Sequence, residues 1–377
     1  MCPVSLFDKE SFEKIEWPAN SWANKVRSFF SPILNEGVTP FISNVKTQLF
    51  LLKANDLILP ITVNEKEYKN SYIVSNYYGV HLLKENMTGL KPLVHTLLTP
   101  AALLLKFLKV NKVVNLNTWF FPANIPPKVT GEAMKKMTAF LEKQYPDHVF
   151  MFRSVNNFVD TSHAAALSEA GYFLFPTRSI FFYNPHDSLD KKARYHRRRD
   201  TRLFEQSGYE VVTNKEITDE EIPRLLELYQ KIYMDKYTSY SPSYTSKFLK
   251  HLISNDLMQI KGLKKNNQID AVIGYHSQNG IMQVPFIGYD TSLPATLGLY
   301  RMISLLGYLE SDKHGLFYHD GNGAEAFKLV RGLKKTLEYA GVYSAHLKKF
   351  RYIPWRAAEK AVEKFILPKI YSANQSP

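Results

Sequence analysis

Apolar residues in the second half of the chain switch between strand-like alternation and helical spacing, and the switches mark its elements. Residues 209–213, 257–263, 271–276 and 281–289 are short runs rich in β-branched and aromatic side chains. Gln278-Asn279-Gly280 between the last two is a tight-hairpin signature. Residues 218–234, 243–254 and 294–311 recur at helical spacing, and 190–206 form a basic helix closed by Gly208. Residues 316–319 read as a strand, 324–339 as a helix and 342–347 as a final strand.

The first half has a similar rhythm. Strands are expected at 56–63, 71–78, 112–121, 149–153 and 172–183. Helices are expected at 92–110, broken at Pro100, at 130–145, capped by Thr130, and at 164–170, closed by Gly171. Asn184-Pro185-His186-Asp187 breaks the pattern, so the chain divides into a domain of residues 1–186 and another of 187–377. Antiparallel meanders followed by strand–helix–strand units predict an α/β fold, a mixed sheet with helices on both faces.

Composition narrows the function. With 45% hydrophobic and 22% charged residues the 377-residue chain is globular. A single cysteine, Cys2, excludes a disulfide framework and a cysteine-based zinc site, and the spacing of no other residues predicts a metal. Phosphate-loop, His-Glu-x-x-His and Gly-x-Ser-x-Gly motifs are absent. The N-terminus lacks the basic-then-apolar start of a signal peptide. The most apolar window, 93–110, is interrupted by His95, Pro100, Lys106 and Lys109, so no transmembrane segment and a cytoplasmic location are expected.

The net charge of +13 is concentrated in two segments: residues 190–202 carry net +5 and residues 328–351 net +6. Such a field attracts phosphates or nucleic acid and says nothing of fold. Arg194, Arg198 and Arg202 form an i, i+4, i+8 stripe suited either to phosphates or to a solvated helix face.

Three segments carry a family resemblance: KARYHRRRDTRLFEQSG (192–208), PATLGLYRMISLLG (294–307), and DGNGAEAFKLVRG (320–332) followed by EYAGVYSAHL (338–347). In order and spacing they resemble the GNAT superfamily of acyltransferases, in its Fem-type branch. The resemblance covers about half the chain and implies a GNAT-like fold, here as two tandem domains with the first degenerate. It implies transfer of an acyl or aminoacyl group from acyl-coenzyme A or aminoacyl-tRNA to an amine on a small molecule or cell-wall-type precursor. One feature departs from the family: the stretch 290–298, where a glycine-rich pyrophosphate turn is usual, holds one glycine and Pro294.

Against that expectation, Gly298, Tyr300 and Arg301 are the residues for the donor. Gly321, Asn322 and Gly323, between a strand and a helix, offer backbone N–H groups to an anion. Lys328 and Arg331 share a helix face and suit a phosphate or oxyanion, with Arg194 and Arg198 as further anion contacts. His319 and Asp320 are the candidate proton acceptors, and Tyr289 the candidate donor to the leaving group. In the first half, Asn115, Asn117, Trp119, Arg153, Ser154 and Asn156 sit near strand ends, where they satisfy loop backbones or line a cleft. The rival reading is a non-catalytic RNA- or phosphate-binding protein on the same scaffold.

Overall fold

The structure, a computed structural model, describes residues 4–81, 99–100, 102–158, 160–366 and 368. In the first half, β1 (Val4–Phe7), α1 (Ser21–Glu36), β2 (Gln48–Ala54), β3 (Leu57–Asn64) and β4 (Val113–Leu116) are followed by α2 (Gly131–Gln144), β5 (Val149–Asn156), α3 (Ser162–Glu169) and β6 (Phe173–Tyr183). The second half continues with α4 (Lys191–Ser207), β7 (Glu210–Thr213), α5 (Ile222–Ile232), α6 (Ser246–Ser254), β8 (Gln259–Lys265), β9 (Gln268–Gln278) and β10 (Ile281–Tyr289). It ends with α7 (Leu299–His314), β11 (Phe317–His319), α8 (Glu325–Leu329), β12 (Lys334–Tyr343) and α9 (Lys349–Ala361).

Among the described residues the strands form one 12-stranded sheet in the order β1-β2-β3-β4-β5-β12-β6-β11-β10-β9-β8-β7. The order is the same from either end once β6 and β12 are matched. Each half contributes one parallel pair, β4 with β5 and β10 with β11. The last strands are exchanged: β12 pairs with β5 and β6 pairs with β11, while β6 and β12 pair antiparallel with each other at the centre. The mixed α/β sheet read from the sequence is therefore present, with its halves interleaved across the 186/187 break.

Packing follows the helical spacing. Leu225, Leu228 and Tyr229 of α5, Phe29 and Phe30 of α1, and Phe248 of α6 are buried in the largest hydrophobic cluster. Met302, Ile303 and Leu306 of α7 lie in a second cluster with Ile273, Met282 and Tyr318. Thr130 caps α2 by accepting from Ala133 N, and Asp190 caps α4 in the same way through Ala193 N.

Four expectations change. Residues 71–78 are turns rather than a strand, because Asn70 bonds both backbone groups of Lys46 and Ser71 Oγ donates to Tyr240 O. The strand expected at 112–121 stops at Leu116, where Asn117 (φ 59°) and Phe120 (φ 60°) turn the backbone. The helix expected at 324–339 is only α8. Gly332 (φ +88°) ends it, and a Cβ there would lie 2.9 Å from Leu189, so the chain swings into β12, which pairs on both sides and takes the place of a 342–347 strand. Of the helix expected at 92–110, residues 102–107 are helical, while 92–98 and 101 lie outside the described residues.

The fold positions one opening. Parallel pairing of β10 with β11 ends at Gln283↔His319. Beyond it β10 bulges between Gln283 and Phe286, around Pro285, which has no N–H to donate, and stays paired only with β9. Meanwhile the chain after β11 turns into the Asp320–Gly323 loop. The two strands part there.

Candidate active site

The loop after β11 is pinned from both sides. Asp320 N donates to Phe181 O at 3.0 Å, and Phe181 N to Gly321 O at 3.1 Å. Lys328 is buried, donates to Asp320 O at 2.5 Å and Asn322 O at 3.2 Å, and lies 5.2 Å over the Phe181 ring. It therefore ties the Gly321–Gly323 turn shut from below rather than facing solvent.

Asp320 directly follows β11, and its side chain is buried. Its Oδ1 accepts from Tyr318 OH at 2.9 Å, while Oδ2, shielded from water, has no hydrogen-bond partner and faces Lys328 Nζ at 3.6 Å. Burial raises its pKa above the ordinary carboxylate value, with Lys328 opposing. A carboxylate of that kind is a stronger base than one in water. His319 is placed differently. Gly321 N donates to its Nδ1 at 3.1 Å, which puts the hydrogen of the neutral ring on Nε2, and burial lowers its pKa from 6.5 to about 4. Near neutral pH it is a hydrogen-bond donor and not a proton acceptor.

Tyrosines surround Asp320. Tyr233, Tyr300, Tyr308 and Tyr318 all sit in its electrostatic field, and burial raises the pKa of each, so all four keep their protons. Tyr289, at the end of β10, is 5.8 Å from the Tyr300 ring, and Tyr300 is 4.7 Å from Phe327. A Cβ on Gly323 would stand 3.8 Å from Tyr237 OH, so Tyr237, which is exposed, edges the same loop.

Arg301 and Arg331 come together through a residue the sequence did not single out. Asp200 of α4 is buried and accepts from Arg301 Nε and Arg331 Nε, each at 2.7 Å, and the Arg331 guanidinium stacks 3.6 Å from the Phe327 ring centre. This fork joins α4, α7 and the turn after α8. Arg331→Met is expected to lower stability by about 2 kcal/mol, because a charge-assisted hydrogen bond is lost while Asp200 keeps Arg301. A urea titration would read the change in midpoint.

The remaining candidates are dispersed. Leu203 of α4 lies 2.5 Å from where a Cβ on Gly298 would be, so α4 packs directly on the start of α7. Asp290, which opens the 290–298 turn, is buried. Arg224, Lys231 and Ser292 bond its carboxylate and hold its pKa below the usual range against burial. Arg194 is exposed and bonds Leu189 O; Arg198 is exposed on the same helix. Neither reaches the gap residues. Asn117 accepts from Trp119 Nε1, Ser154 from Asn124 N and Asn156 from Phe158 N, and Asn115 donates to Val74 O. Those first-half residues satisfy loops. A cavity of about 340 Å³ lies elsewhere, against Trp22, Pro127 and Asn279.

Sequence reasoning missed Asp200, Tyr233, Tyr237, Arg178 and Glu338. A signal existed for three of them. Asp200 is the lone acid inside a basic run, Arg178 is the lone charge in an apolar strand, and Glu338 is the lone acid of its strand, patterns that call for a partner. Arg178 is bonded to Glu338 at 3.0 Å across β6 and β12.

No protein-family model and no curated protein matches the chain. Solved structures do. A conserved protein of unknown function from Bacteroides thetaiotaomicron is 13% identical with a TM-score of 0.50, covering 91% of this chain and 100% of its own. A tandem GNAT protein from the clavulanic acid biosynthesis pathway is 8% identical with a TM-score of 0.39, covering 91% of this chain and 98% of its own. L-PGS from Bacillus licheniformis is 13% identical with a TM-score of 0.45, covering 60% of this chain and 77% of its own. Set beside the sheet order, the match over 91% of the chain shows that it shares the fold of the Bacteroides thetaiotaomicron protein.

Proposed function

We propose that the chain is an N-acyltransferase, with residues 187–377 as the transferring unit and residues 1–186 as a degenerate copy that walls the site. One observation carries the reading: β10 and β11 part at Gln283 and His319, and the chain leaves β11 through Asp320, a buried carboxylate with one oxygen facing only Lys328. Among the described residues the β10 edge beyond Gln283 has no strand partner on the β11 side, and an extended acyl donor would bind there as a strand is bound. In the reaction the acceptor nitrogen attacks the donor carbonyl carbon. Asp320 Oδ2 takes the proton from that nitrogen and later gives it up to solvent, and the leaving thiolate or alkoxide receives a proton from Tyr289, which regains one from solvent. Lys328 holds the Asp320 loop and faces the carboxylate, a positioning role. Transfer requires no metal in this scheme.

The donor is an activated carboxyl group, the thioester of acyl-coenzyme A or the ester of aminoacyl-tRNA, and the acceptor is an amine. Leu203 covers the start of α7 at Gly298, which speaks for a donor held along β10 more than at that helix end. Incubating the protein with acyl-coenzyme A pools, and separately with aminoacyl-tRNA, against an amine library identifies the donor by mass spectrometry of the acylated product. Absence of product from both donors removes the reading.

A further inference from the structure

Arg153 of β5 and Arg178 of β6 stand on either side of β12, which contributes Glu338. Arg178 forks onto Glu338, Nε to Oε1 at 3.0 Å and Nη2 to Oε2 at 3.3 Å, and also donates to Pro122 O at 2.7 Å. Arg153 has no such partner: among the described residues its bonds run through Nη1 alone, to Tyr72 O at 3.0 Å and Ile73 O at 2.9 Å. Among the described residues two guanidiniums thus share one carboxylate, leaving one positive charge uncompensated. Burial pulls the pKa of Arg153 from 12.5 down to about 10, with Glu338 opposing and Arg178 adding to the fall.

The pair is deep but not sealed. The Arg178 side chain keeps 23% of its exposure, and Arg153, Tyr72 and Tyr233 are only half-buried. Tyr233 lies in the electrostatic fields of Tyr72, Arg178 and Asp320. An uncompensated buried cation costs several kcal/mol unless something supplies the anion. A planar fork of N–H donors fits a carboxylate. A single net charge matches a monoanion and not a phosphate dianion.

We propose that Arg153 and Arg178 bind the carboxylate of the acceptor, an amine-bearing carboxylic acid held with its amine toward Asp320. The amine end of this assignment rests on the transferase reading; the carboxylate end stands on the guanidinium pair itself.

Calorimetric titration with N-acetylglycine, N-acetylglycinamide and inorganic phosphate tests the site without any turnover. N-acetylglycine is expected to bind at least about tenfold more tightly than the neutral amide, and Arg153→Met to remove that difference. Glu338→Gln releases the Arg178 fork and is expected to tighten N-acetylglycine binding several-fold, a gain that a merely structural role for the pair does not produce. Equal binding of acid and amide, tighter binding of phosphate, or unchanged binding in a folded Arg153→Met protein overturns the proposal. Should Arg153→Met unfold, the absence of a gain in Glu338→Gln overturns it. Selective carboxylate binding in a protein that acylates no amine would remove the transferase reading and uphold the site. Acylation of neutral amines with no carboxylate binding would remove the site alone.

Discussion

Acidification from pH 6.5 to about 4 is expected to cost the folded protein on the order of 3 kcal/mol through His319 alone. The sign follows from where the proton binds. In the unfolded chain His319 titrates near 6.5, whereas in the folded protein burial lowers its pKa to about 4. Between those values the unfolded state holds more protons, so stability is present above pH 6.5 and is lost as pH falls toward 4. His276 acts in the same direction. It is fully buried, stacked 5.1 Å from Phe121 with no partner on either ring nitrogen, and burial drives its pKa well below 6.5, with Lys25 and His319 adding. Asp320 acts in the opposite sense, because its raised pKa favours proton uptake by the folded state above 3.8, and offsets part of the loss. Urea midpoints measured across this pH range should fall, and His319→Asn, whose side-chain oxygen replaces Nδ1 as acceptor for Gly321 N, should flatten the fall by about 3 kcal/mol. An unchanged slope in that variant would show that His319 is solvated and that the strand gap is wider than described.

The second half was more legible than the first because its elements are bounded by strong local signals. Asp190 and Gly208 bracket α4, and Asn279-Gly280 sets the β9–β10 hairpin, with φ of 52° and 77° at its two turn residues. The exchange of β6 and β12 was not legible, since strand pairing depends on long-range neighbours and the sequence records only which faces are apolar. The same limitation hid the charge partners. The spacing of Lys328 and Arg331 suggested one helix face and a joint anion site, yet the helix stops at Leu329, Arg331 lies in the turn beyond it, and the two point to different partners. Helix α8 is short, and Gly332 turns the chain so that Lys328 reaches back to Asp320 O while Arg331 meets Asp200 of a helix more than a hundred residues earlier. The aromatic wall was legible only as an abundance of tyrosine. Its assembly around Asp320 depends on the π-helical stretch Tyr233–Tyr237 after α5, where local spacing gives no warning.

Asp320→Asn separates chemistry from architecture more cleanly than any other substitution in the gap. Asparagine keeps the shape of the side chain, and its Oδ1 still accepts from Tyr318 OH. Lys328 retains its bonds to the carbonyls of residues 320 and 322, so the loop should hold its place. What is lost is the carboxylate oxygen that faces Lys328 and can accept a proton. Removing a general base typically costs about 10²–10⁴ in rate, and a fall of that size in kcat is expected, with KM for the donor little changed because the β10 edge and the tyrosine wall are intact. The pH profile supplies a second, independent readout. In the wild-type protein the rate should drop as pH falls through the raised pKa of Asp320, and in Asp320→Asn that acid limb should vanish. Carboxylate binding at Arg153 and Arg178 should persist in the variant, since neither guanidinium bonds Asp320. A variant that transfers at the wild-type rate, with the acid limb in place, would move proton acceptance away from the gap and leave the parted strands without the chemistry assigned to them.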